Sequence, residues 1–243
     1  MIDLKSSKVT AKSIWISDVH LGSTGTKEEC LHDFLNNITC STLFLNGDII
    51  DRWLLRNSNK FELSLKNLTL QLEKIQNKGT QIIFLPGNHD NLHDIQAYFP
   101  NFKCVSEYQY KTVKNKNYLI FHGDKLDYSV NVRKSFLAQF GTYIYEYFLK
   151  RRKINKSESF SRKLKVATKN VFYFVFRYYY FLYRYLKKHN YDGVICGHSH
   201  QPGISKLKSK DYLNSGDWID NCTFLMETSS GEFKLHRWGG ANS

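Results

Sequence analysis

The sequence lacks the features that mark several common classes of protein. Its five cysteines are scattered and odd in number, and no CxxC pair occurs, so neither a disulfide framework nor a zinc ribbon is indicated. The first 20 residues hold no apolar run of the kind that a secretion signal needs, and both ends lack a lipidation motif. No internal repeat and no low-complexity linker is present. We therefore expect a reduced protein on the cytoplasmic side of the membrane.

Acidic residues are nearly absent from the segment 150–190, which carries 13 lysines and arginines against one glutamate. The whole chain has 35 basic and 22 acidic residues and a formal net charge of +13, so almost all of the excess lies in this segment. Such an excess indicates an anionic partner: a nucleic acid, an acidic membrane surface or a phosphorylated substrate.

Short apolar runs alternate with longer amphipathic ones, as in an α/β sheet. The runs predict strands at 13–17, 42–46, 81–86, 192–197, 211–216, 222–228 and 232–238, and a hairpin whose arms are 103–113 and 118–121. Helical spacing occurs at 27–36 and 61–78, and the residues from 127 to 190 are helical in pattern, basic and aromatic. At 243 residues the chain suits one large domain. We predict an α/β sandwich over 1–243, interrupted by a helical insertion at 127–190.

Polar loops follow the predicted strands and carry hard oxygen and imidazole groups. They read SDVHLG, NGDIID, PGNHD, FHGD and GHSHQP, and their candidate ligands are Asp18, His20, Asp48, Asn88, His122, His198 and His200. Each loop alone has a simpler explanation, since GNHD is also a common turn and GHSH also fits two surface histidines. Five such loops in succession indicate a site, because sites assemble at the carboxyl ends of strands in open α/β sheets.

Aspartate, asparagine and histidine ligands without thiolate suit a divalent metal ion, with Mn²⁺ as our choice and Fe²⁺, Mg²⁺ or Zn²⁺ as alternatives. Seven ligands exceed the needs of one ion and suit two that share a carboxylate. Two such ions about 3.5–4 Å apart hold a bridging hydroxide and clamp the attacking and leaving oxygens of a phosphoryl group. The residues therefore indicate metal-assisted hydrolysis of a phosphoester or phosphoanhydride.

This set of motifs resembles the calcineurin-like metallophosphoesterases, a family whose fold is a four-layer αββα sandwich. The resemblance implies a first metal site formed by Asp18, His20, Asp48 and His200. It implies a second formed by Asp48, Asn88, His122 and His198, with Asp48 bridging the two ions. It also implies that His89 contacts the transferring phosphoryl group or protonates the leaving oxygen, and that Asp90 orients His89.

A narrower resemblance, to the UDP-2,3-diacylglucosamine diphosphatases, covers almost the whole chain. It is carried by GDIIDRW at 47–53, DKLD at 124–127, the basic and aromatic insertion, and GDWIDNCTF at 216–224. The resemblance implies hydrolysis of UDP-2,3-diacylglucosamine to UMP and 2,3-diacylglucosamine 1-phosphate, a step of lipid A synthesis. The substrate contacts that it implies are Asn88, His89, Asp127, Lys165, Lys169 and His198. One departure is His89, because the best-known members carry Arg there, and Arg binds phosphate in a bidentate manner that His cannot copy.

The stretch VFYFVFRYYYFLYRYL at 171–186 has three interpretations. It is short and charged for a membrane span, which needs about 20 apolar residues. A buried core helix is the second interpretation, although the basic residues before it do not suit a core. We favour the third, a lid that holds acyl chains and docks on an anionic membrane, with Arg177, Arg184 and Lys188 along one side of the helix.

Two other functions remain open from the residues. The same metal site would serve a phosphodiesterase or a nuclease whose basic segment binds a phosphate backbone. A non-enzymatic membrane or nucleic-acid adaptor on an inactive scaffold is the other. We expect no nucleic-acid partner, because the aromatic residues are packed among aliphatic ones rather than spaced singly. No obligate protein partner is indicated, and we expect a peripheral location on the cytoplasmic face of the inner membrane.

Overall fold

The computed structural model describes residues 2–4, 7–23, 25–51, 59–124 and 177–239. Twelve strands occur in these ranges: β1 Ile2–Leu4, β2 Val9–Ile16, β3 Ile38–Asn46, β4 Gln81–Leu85, β5 Lys103–Cys104, β6 Tyr108–Lys111, β7 Asn117–Ile120, β8 Gly193–Cys196, β9 Gly203–Leu207, β10 Lys210–Asn214, β11 Thr223–Glu227 and β12 Phe233–Trp238. Three helices lie between them: α1 Glu28–Asn36, α2 Asn59–Asn77 and α3 Leu92–Tyr98. Residues 177–188 are also helical.

The strands form two sheets. The larger has seven strands in the order β1-β12-β11-β2-β3-β4-β5, and the smaller has five in the order β6-β7-β8-β10-β9. Strands β2, β3, β4 and β5 run parallel in the first sheet, and β7, β8 and β10 run parallel in the second. The carboxyl ends of parallel strands meet at one edge of a sheet, so each sheet has one edge suited to a site.

Side chains of the larger sheet alternate between two apolar clusters, as the two-residue period of a strand requires. Ile14 and Ile16 of β2 belong to the cluster that also contains α1 and α2 residues such as Phe34 and Leu72. Trp15, between them in sequence, belongs to a second cluster, which contains residues of the smaller sheet such as Ile195. The larger sheet is thus covered by helices on one face and by the smaller sheet on the other.

The expected α/β fold with two sheets is confirmed. Helices, the larger sheet and the smaller sheet make up the layers that lie within the described ranges. The helical insertion was predicted separately at 127–190, and only 177–190 of it is described, so the insertion stays a prediction. Contacts divide the chain into two compact units, one of residues 1–124 and 186–243 and the other of residues 125–185.

Two details of the predicted elements were wrong. The segment 103–113 is not one hairpin arm, because β5 pairs with β4 in the larger sheet and β6 pairs with β7 in the smaller one. The chain crosses from one sheet to the other between these strands, which a continuous polar and aromatic run does not reveal. Strand β9 and helix α3 were not predicted, because their residues are mostly exposed and lack a clear apolar period.

Candidate metal centre

Five of the predicted ligand loops lie at the carboxyl ends of parallel strands, as expected. The loops that follow β2 and β3 are joined by the Asp18 N–H, which donates to the Gly47 carbonyl at 3.1 Å. Those that follow β7 and β8 are joined by the Gly197 N–H, which donates to the His122 carbonyl at 2.9 Å. The Asp18 carboxylate then links the two sheets, because its Oδ2 accepts the His198 N–H at 3.0 Å.

The first group of candidate ligands consists of Asp18, His20 and His200. One atom from each lies within 4.8 Å of the others. Asp18 Oδ1 is 3.3 Å from His200 Nε2. Asp18 and His20 are buried, whereas the His200 side chain is 38% exposed, so the ring of His200 forms the open side of this group.

The second group consists of Asp48, His122 and His198, again with one atom from each within 4.8 Å of the others. His122 Nε2 lies 3.1 Å from Asp48 Oδ2. The same Asp48 oxygen is 3.9 Å from His20 Nε2 of the first group. Asp48 therefore lies between the two groups, which is the position that a shared carboxylate needs. Asn88, the remaining predicted ligand, is exposed on the loop after β4.

The ligand loops share one kind of backbone strain, a positive φ at residues other than glycine. Five of the seven predicted ligands have a left-handed backbone: Asp18 (φ 53°), His20 (51°), Asp48 (53°), His198 (67°) and His200 (54°). This conformation costs about 1–3 kcal/mol for each non-glycine residue, and it persists where surrounding structure holds it in place. The strain therefore lies at residues that carry the candidate chemistry.

Two glycines make room for the carboxylates. A Cβ on Gly87 would lie 2.1 Å from Asp48 Oδ1, and a Cβ on Gly197 would lie 2.4 Å from Asp18 Oδ2. Neither distance is tolerated, so any larger residue would displace a candidate ligand. These glycines are required by close approach rather than by a left-handed turn, since neither has a positive φ.

Three of the four histidines in these groups share an orientation that fits a metal ion. His20, His122 and His200 each direct Nε2 at the carboxylates of the centre. Their Nδ1 atoms face other acceptors: Asp51 Oδ2 at 3.5 Å, the Asn46 carbonyl at 2.9 Å and Asp217 Oδ2 at 3.9 Å, respectively. Metal-bound histidines are commonly held in this way by a carboxylate or carbonyl on the second nitrogen.

Polar atoms at the centre also fit a cation. Asp18 Oδ1 and His20 Nε2 are buried and have no hydrogen-bond partner among the residues that the structure describes. Buried polar atoms are normally satisfied, so such atoms facing one another indicate a ligand. The oxygen and imidazole donors present suit two divalent ions.

The electrostatics of the centre are strongly coupled. Burial lowers the pKa of His122, but the Asp48 and Asp18 carboxylates outweigh burial and raise it to about 10. Burial also raises the pKa of Asp48, but His122 beside it outweighs burial and lowers that pKa below its usual range. Burial lowers the pKa of His20, which keeps this imidazole neutral. The carboxylates thus create a negative potential that a proton or a metal ion neutralises.

The predicted role of Asp90 is corrected by the structure. Its buried carboxylate accepts four backbone N–H groups, from Asp48 (2.9 Å), Ile49 (2.7 Å), Ile50 (3.0 Å) and Gly87 (2.8 Å). Asp90 therefore holds the loop that carries Asp48, rather than the ring of His89. The reason is local: the loop amides turn the side chain inward, although Asp90 follows His89 directly in sequence.

Asp51 is the carboxylate that lies beside His89. Its Oδ2 is 3.3 Å from His89 Nδ1 and 3.5 Å from His20 Nδ1. The ring of His89 packs edge-on against the ring of His20, with centroids 4.6 Å apart. These three residues meet the distance criterion for a metal group. Asp51 thus faces the Nδ1 atom of both rings at ion-pair distance, and it joins His89 to His20.

Some predicted substrate contacts lie outside the described residues, namely Asp127, Lys165 and Lys169. Among the described residues, Asp217 lies next to His200, although no role was predicted for it from the sequence. Asp51, the last aspartate of GDIID, is best interpreted as a support of the metal loop, because it contacts His20. The signal for both was present in the sequence, because Asp51 lies in GDIID and Asp217 in GDWIDN, two of the motifs that carry the narrower resemblance.

Comparison with known families agrees with this geometry. A family model described as calcineurin-like phosphoesterase matches residues 11–202, which is most of the chain and includes all seven candidate ligands. The protein therefore belongs to the calcineurin-like phosphoesterase family, and the class of the site is that of a metal-dependent phosphoesterase.

A curated relative from Vibrio atlanticus (strain LGP32), named UDP-2,3-diacylglucosamine hydrolase, is 24% identical over 234 residues. The alignment covers 89% of this chain and 93% of the relative.

Among solved structures, an archaeal phosphodiesterase is 14% identical, with a TM-score of 0.47 and coverage of 92% of this chain and 97% of that one. Vacuolar protein sorting 29 from Cryptosporidium parvum is 10% identical, with a TM-score of 0.45 and coverage of 92% and 95%. Both TM-scores are below 0.5, so the assignment rests on the family match and the site. Within the described ranges, no helix has the length and apolar character needed to cross a membrane.

Proposed function

We propose that the protein hydrolyses the pyrophosphate bond of UDP-2,3-diacylglucosamine, with release of UMP and 2,3-diacylglucosamine 1-phosphate. The observation that carries this proposal is the similarity to the Vibrio relative of that name, because it extends over 89% of this chain. The geometry of the site supports the reaction type, since Asp48 of the second ligand group also faces His20 of the first.

Two divalent ions at these groups, Mn²⁺ by preference, would supply hydroxide at neutral pH and neutralise charge on the phosphoryl group. Asp18 and Asp48 supply the carboxylates of the centre, and Asp48 fixes the distance between the two ligand groups. His89 stands at the rim, part-exposed, with its Nδ1 facing Asp51. With protons on both ring nitrogens, His89 would keep Nδ1–H toward Asp51 and donate the Nε2 proton to the phosphoryl or leaving oxygen.

The test is release of UMP from UDP-2,3-diacylglucosamine in the presence of Mn²⁺, against a panel of simpler phosphoesters that includes a chromogenic diester. We expect turnover of the lipid substrate to exceed that of every other ester. If the insertion holds acyl chains, each buried CH₂ contributes about 0.8 kcal/mol. Substrates shortened by several carbons should then bind more weakly by orders of magnitude. Indifference to chain length would contradict the acyl-binding role of the insertion.

The insertion also contains two lysines that are predicted to contact the substrate, and these have a separate test. Replacement of both Lys165 and Lys169 by alanine should raise KM for the lipid substrate and leave hydrolysis of the chromogenic diester unchanged. An equal loss on both substrates would assign the lysines to the fold or to the metal site.

A second candidate is a phosphodiesterase that acts on another phosphoester with the same site. It is favoured by His89, which stands where the resemblance to the diphosphatases leads one to expect an Arg. Faster hydrolysis of a generic diester than of the lipid substrate would support this candidate and overturn the first.

We also propose that the protein docks on an anionic membrane through one side of the helical segment 177–188. The exposed residues of this segment form a basic stripe with one aromatic ring: Arg177, Tyr180, Arg184, Lys187 and Lys188. Leu182 and Leu186, one turn apart, are buried, so the stripe is the solvent side of an amphipathic helix. Basic residues on such a helix contribute about 1 kcal/mol each near an anionic bilayer.

Sedimentation with vesicles tests this docking surface. Wild-type protein should sediment with vesicles that contain phosphatidylglycerol and not with pure phosphatidylcholine. The double variant Arg184→Glu and Lys188→Glu should lose most of this binding, whereas Lys74→Glu, an exposed charge reversal on α2, should keep it. Equal sedimentation of all three proteins would contradict the proposal.

A further inference from the structure

The loop 215–222 lies against His200, the most exposed member of the first ligand group. Within this loop Asp217 is fully buried. Its Oδ1 accepts the backbone N–H groups of Ile219 (2.9 Å), Asp220 (2.7 Å) and Asn221 (3.0 Å). Oδ1 of Asp217 thus stabilises the turn, whereas Oδ2 contacts neighbouring side chains.

The second oxygen of Asp217 faces the imidazole of His200. Asp217 Oδ2 lies 3.9 Å from His200 Nδ1 and also accepts the side-chain amide of Asn221. The same amide group donates to the His200 carbonyl at 3.3 Å. The loop therefore contacts both the ring and the backbone of His200, which has a left-handed φ of 54°.

The carboxylate of Asp217 is held in place by four hydrogen bonds, from the backbone N–H groups of Ile219, Asp220 and Asn221 and from the side-chain amide of Asn221. A buried anion beside Nδ1 favours the tautomer that carries its proton there. Nε2 of His200 then presents a lone pair at 3.3 Å from the Asp18 carboxylate, an unfavourable pair unless a cation lies between them.

We propose that Asp217 is the positioning residue of His200, which holds the Nδ1–H tautomer and the ring direction that the first metal ion needs. The His200 ring is 38% exposed, so packing alone does not orient it. The inference rests on the metal-centre assignment and is independent of the identity of the substrate. Loss of such a partner commonly costs about 10–100-fold in metal affinity.

The test is Mn²⁺ binding in the absence of substrate, by calorimetry and metal analysis. Asp217→Asn keeps an oxygen that accepts the turn amides, and Asp217→Ser keeps a smaller acceptor. Both variants should bind one of two Mn²⁺ ions about 10–100-fold more weakly. Asp220→Asn, which removes the same charge from an exposed position of the same turn, should bind as wild type.

A double-mutant comparison separates positioning from general support of the fold. In a His200→Ala background, Asp217→Asn should cause no further loss of Mn²⁺ affinity, because its effect acts through His200. An equal further loss in that background, or wild-type affinity in folded Asp217→Asn, would overturn the proposal.

If the Asp217 variants do not fold, the wild-type protein still provides a measurement. Nitrogen-15 spectra of the protein loaded with diamagnetic Zn²⁺ should show His200 with its proton on Nδ1 and the metal on Nε2, assigned by the signal missing in His200→Ala. The Nε2–H tautomer would overturn the proposal. These readouts need no turnover, so failure of the proposed hydrolysis would leave them unaffected.

Discussion

At the scale of single residues, the chemistry of the site depends on charges that the protein fold holds close together. Asp18, Asp48, His20 and His122 are all buried at one point. Without a cation this arrangement leaves carboxylate and imidazole atoms facing one another with few hydrogen bonds. Buried charges are costly unless they are paired or coordinate a metal. The fold thus places the ligands for metal binding, although their burial removes them from water.

Asp48→Asn should lose nearly all activity. The side chain lies between both ligand groups, so neither ion is held at its working position without the charge. The loss of even a single catalytic donor commonly costs about 10²–10³ in rate, and the loss here should be at least that large. Turnover and metal analysis check this result, with exposed Glu232→Gln as the control for loss of a negative charge. If more than about a tenth of the activity remains, the dimetal assignment fails.

His89→Ala should lower kcat by about 10²–10⁴ and leave the metal content intact. His89 contacts Asp51 and the ring of His20 but lies in neither of the two groups around Asp18 and Asp48. Asp51→Asn, by contrast, should lower both kcat and metal affinity, because Asp51 also faces His20. A loss of metal in His89→Ala as large as the loss of activity would make His89 a ligand and contradict its assigned role.

Metal affinity should rise with pH. The pKa of His122 is raised to about 10, so in the metal-free protein this imidazole carries a proton at pH 7. A metal ion must displace that proton, and the affinity should therefore increase by about tenfold per pH unit between pH 7 and 9. Calorimetry in buffers of different ionisation enthalpy measures the released proton.

The same raised pKa has a second consequence, for the metal-free protein. Protonated His122 stabilises the metal-free fold fully below pH 6.5, the usual pKa of histidine, and this contribution is lost as the pH rises through about 10.

For the metal-binding measurement, an affinity that is flat between pH 7 and 9 would contradict the protonated state of His122.

At the scale of elements, each ligand loop is braced by a neighbouring one. The turn after β4 supports the turn after β3, since Asp90 accepts the N–H groups of Asp48, Ile49 and Ile50. The His89 N–H returns the contact by donation to Asp48 Oδ1 at 2.8 Å. The loops after β3 and β4 thus support each other, and a change in either loop should displace the Asp48 carboxylate.

Gly87→Ala tests this coupling between loops. The new Cβ would lie 2.1 Å from Asp48 Oδ1 and 2.6 Å from the Asp48 backbone nitrogen, so the loop after β3 must shift. We expect metal affinity to fall by at least about tenfold, the range seen when the support of a ligand is disturbed. Gly203→Ala on β9 is the control, since a Cβ there meets nothing within 4 Å. Wild-type metal binding by Gly87→Ala would show that the two loops move independently.

At the scale of the whole molecule, metal binding and folding are linked. The ligands are distant in sequence, from Asp18 to His200, and come together only in the folded chain. An ion that binds the folded state alone stabilises it by about 2.7 kcal/mol at a concentration 100 times Kd. For a chain of this size that corresponds to about 5–10 °C in Tm per ion.

Removal of metal should therefore lower Tm by this amount, and addition of Mn²⁺ should restore it. Thermal unfolding with and without a chelator measures the shift. Asp48→Asn is the matched control and should show a much smaller shift, since its two ligand groups have lost the shared carboxylate. A chelator-independent Tm in the wild type would mean that the ions add nothing to folding.

Much of the fold was predictable because strands and helices have local periods. The buried ends of β2, β3 and β4 contain apolar runs of three or four residues (IWI, LFL and IIFL), and each strand is followed by a polar loop. The division of 103–113 between two sheets was not predictable, since the pairing of β5 with β4 depends on a partner about 20 residues away. Strand β9 lies at the edge of the smaller sheet, where it pairs with β10, and most of its residues are exposed, so they carry little signal.

The sequence by itself determined the kind of chemistry, because ligand type is a property of residue identity and the loops follow recognisable strands. Only the tertiary structure decided which groups face one another. Asp90 follows His89 in sequence, yet four loop amides draw its carboxylate inward, and Asp51 lies beside His89 instead. Asp217, 17 positions after His200, reaches Nδ1 of that histidine across the fold. The physical reason is that the direction of a side chain is set by backbone strain and by hydrogen bonds from distant loops, and neither is written in local sequence.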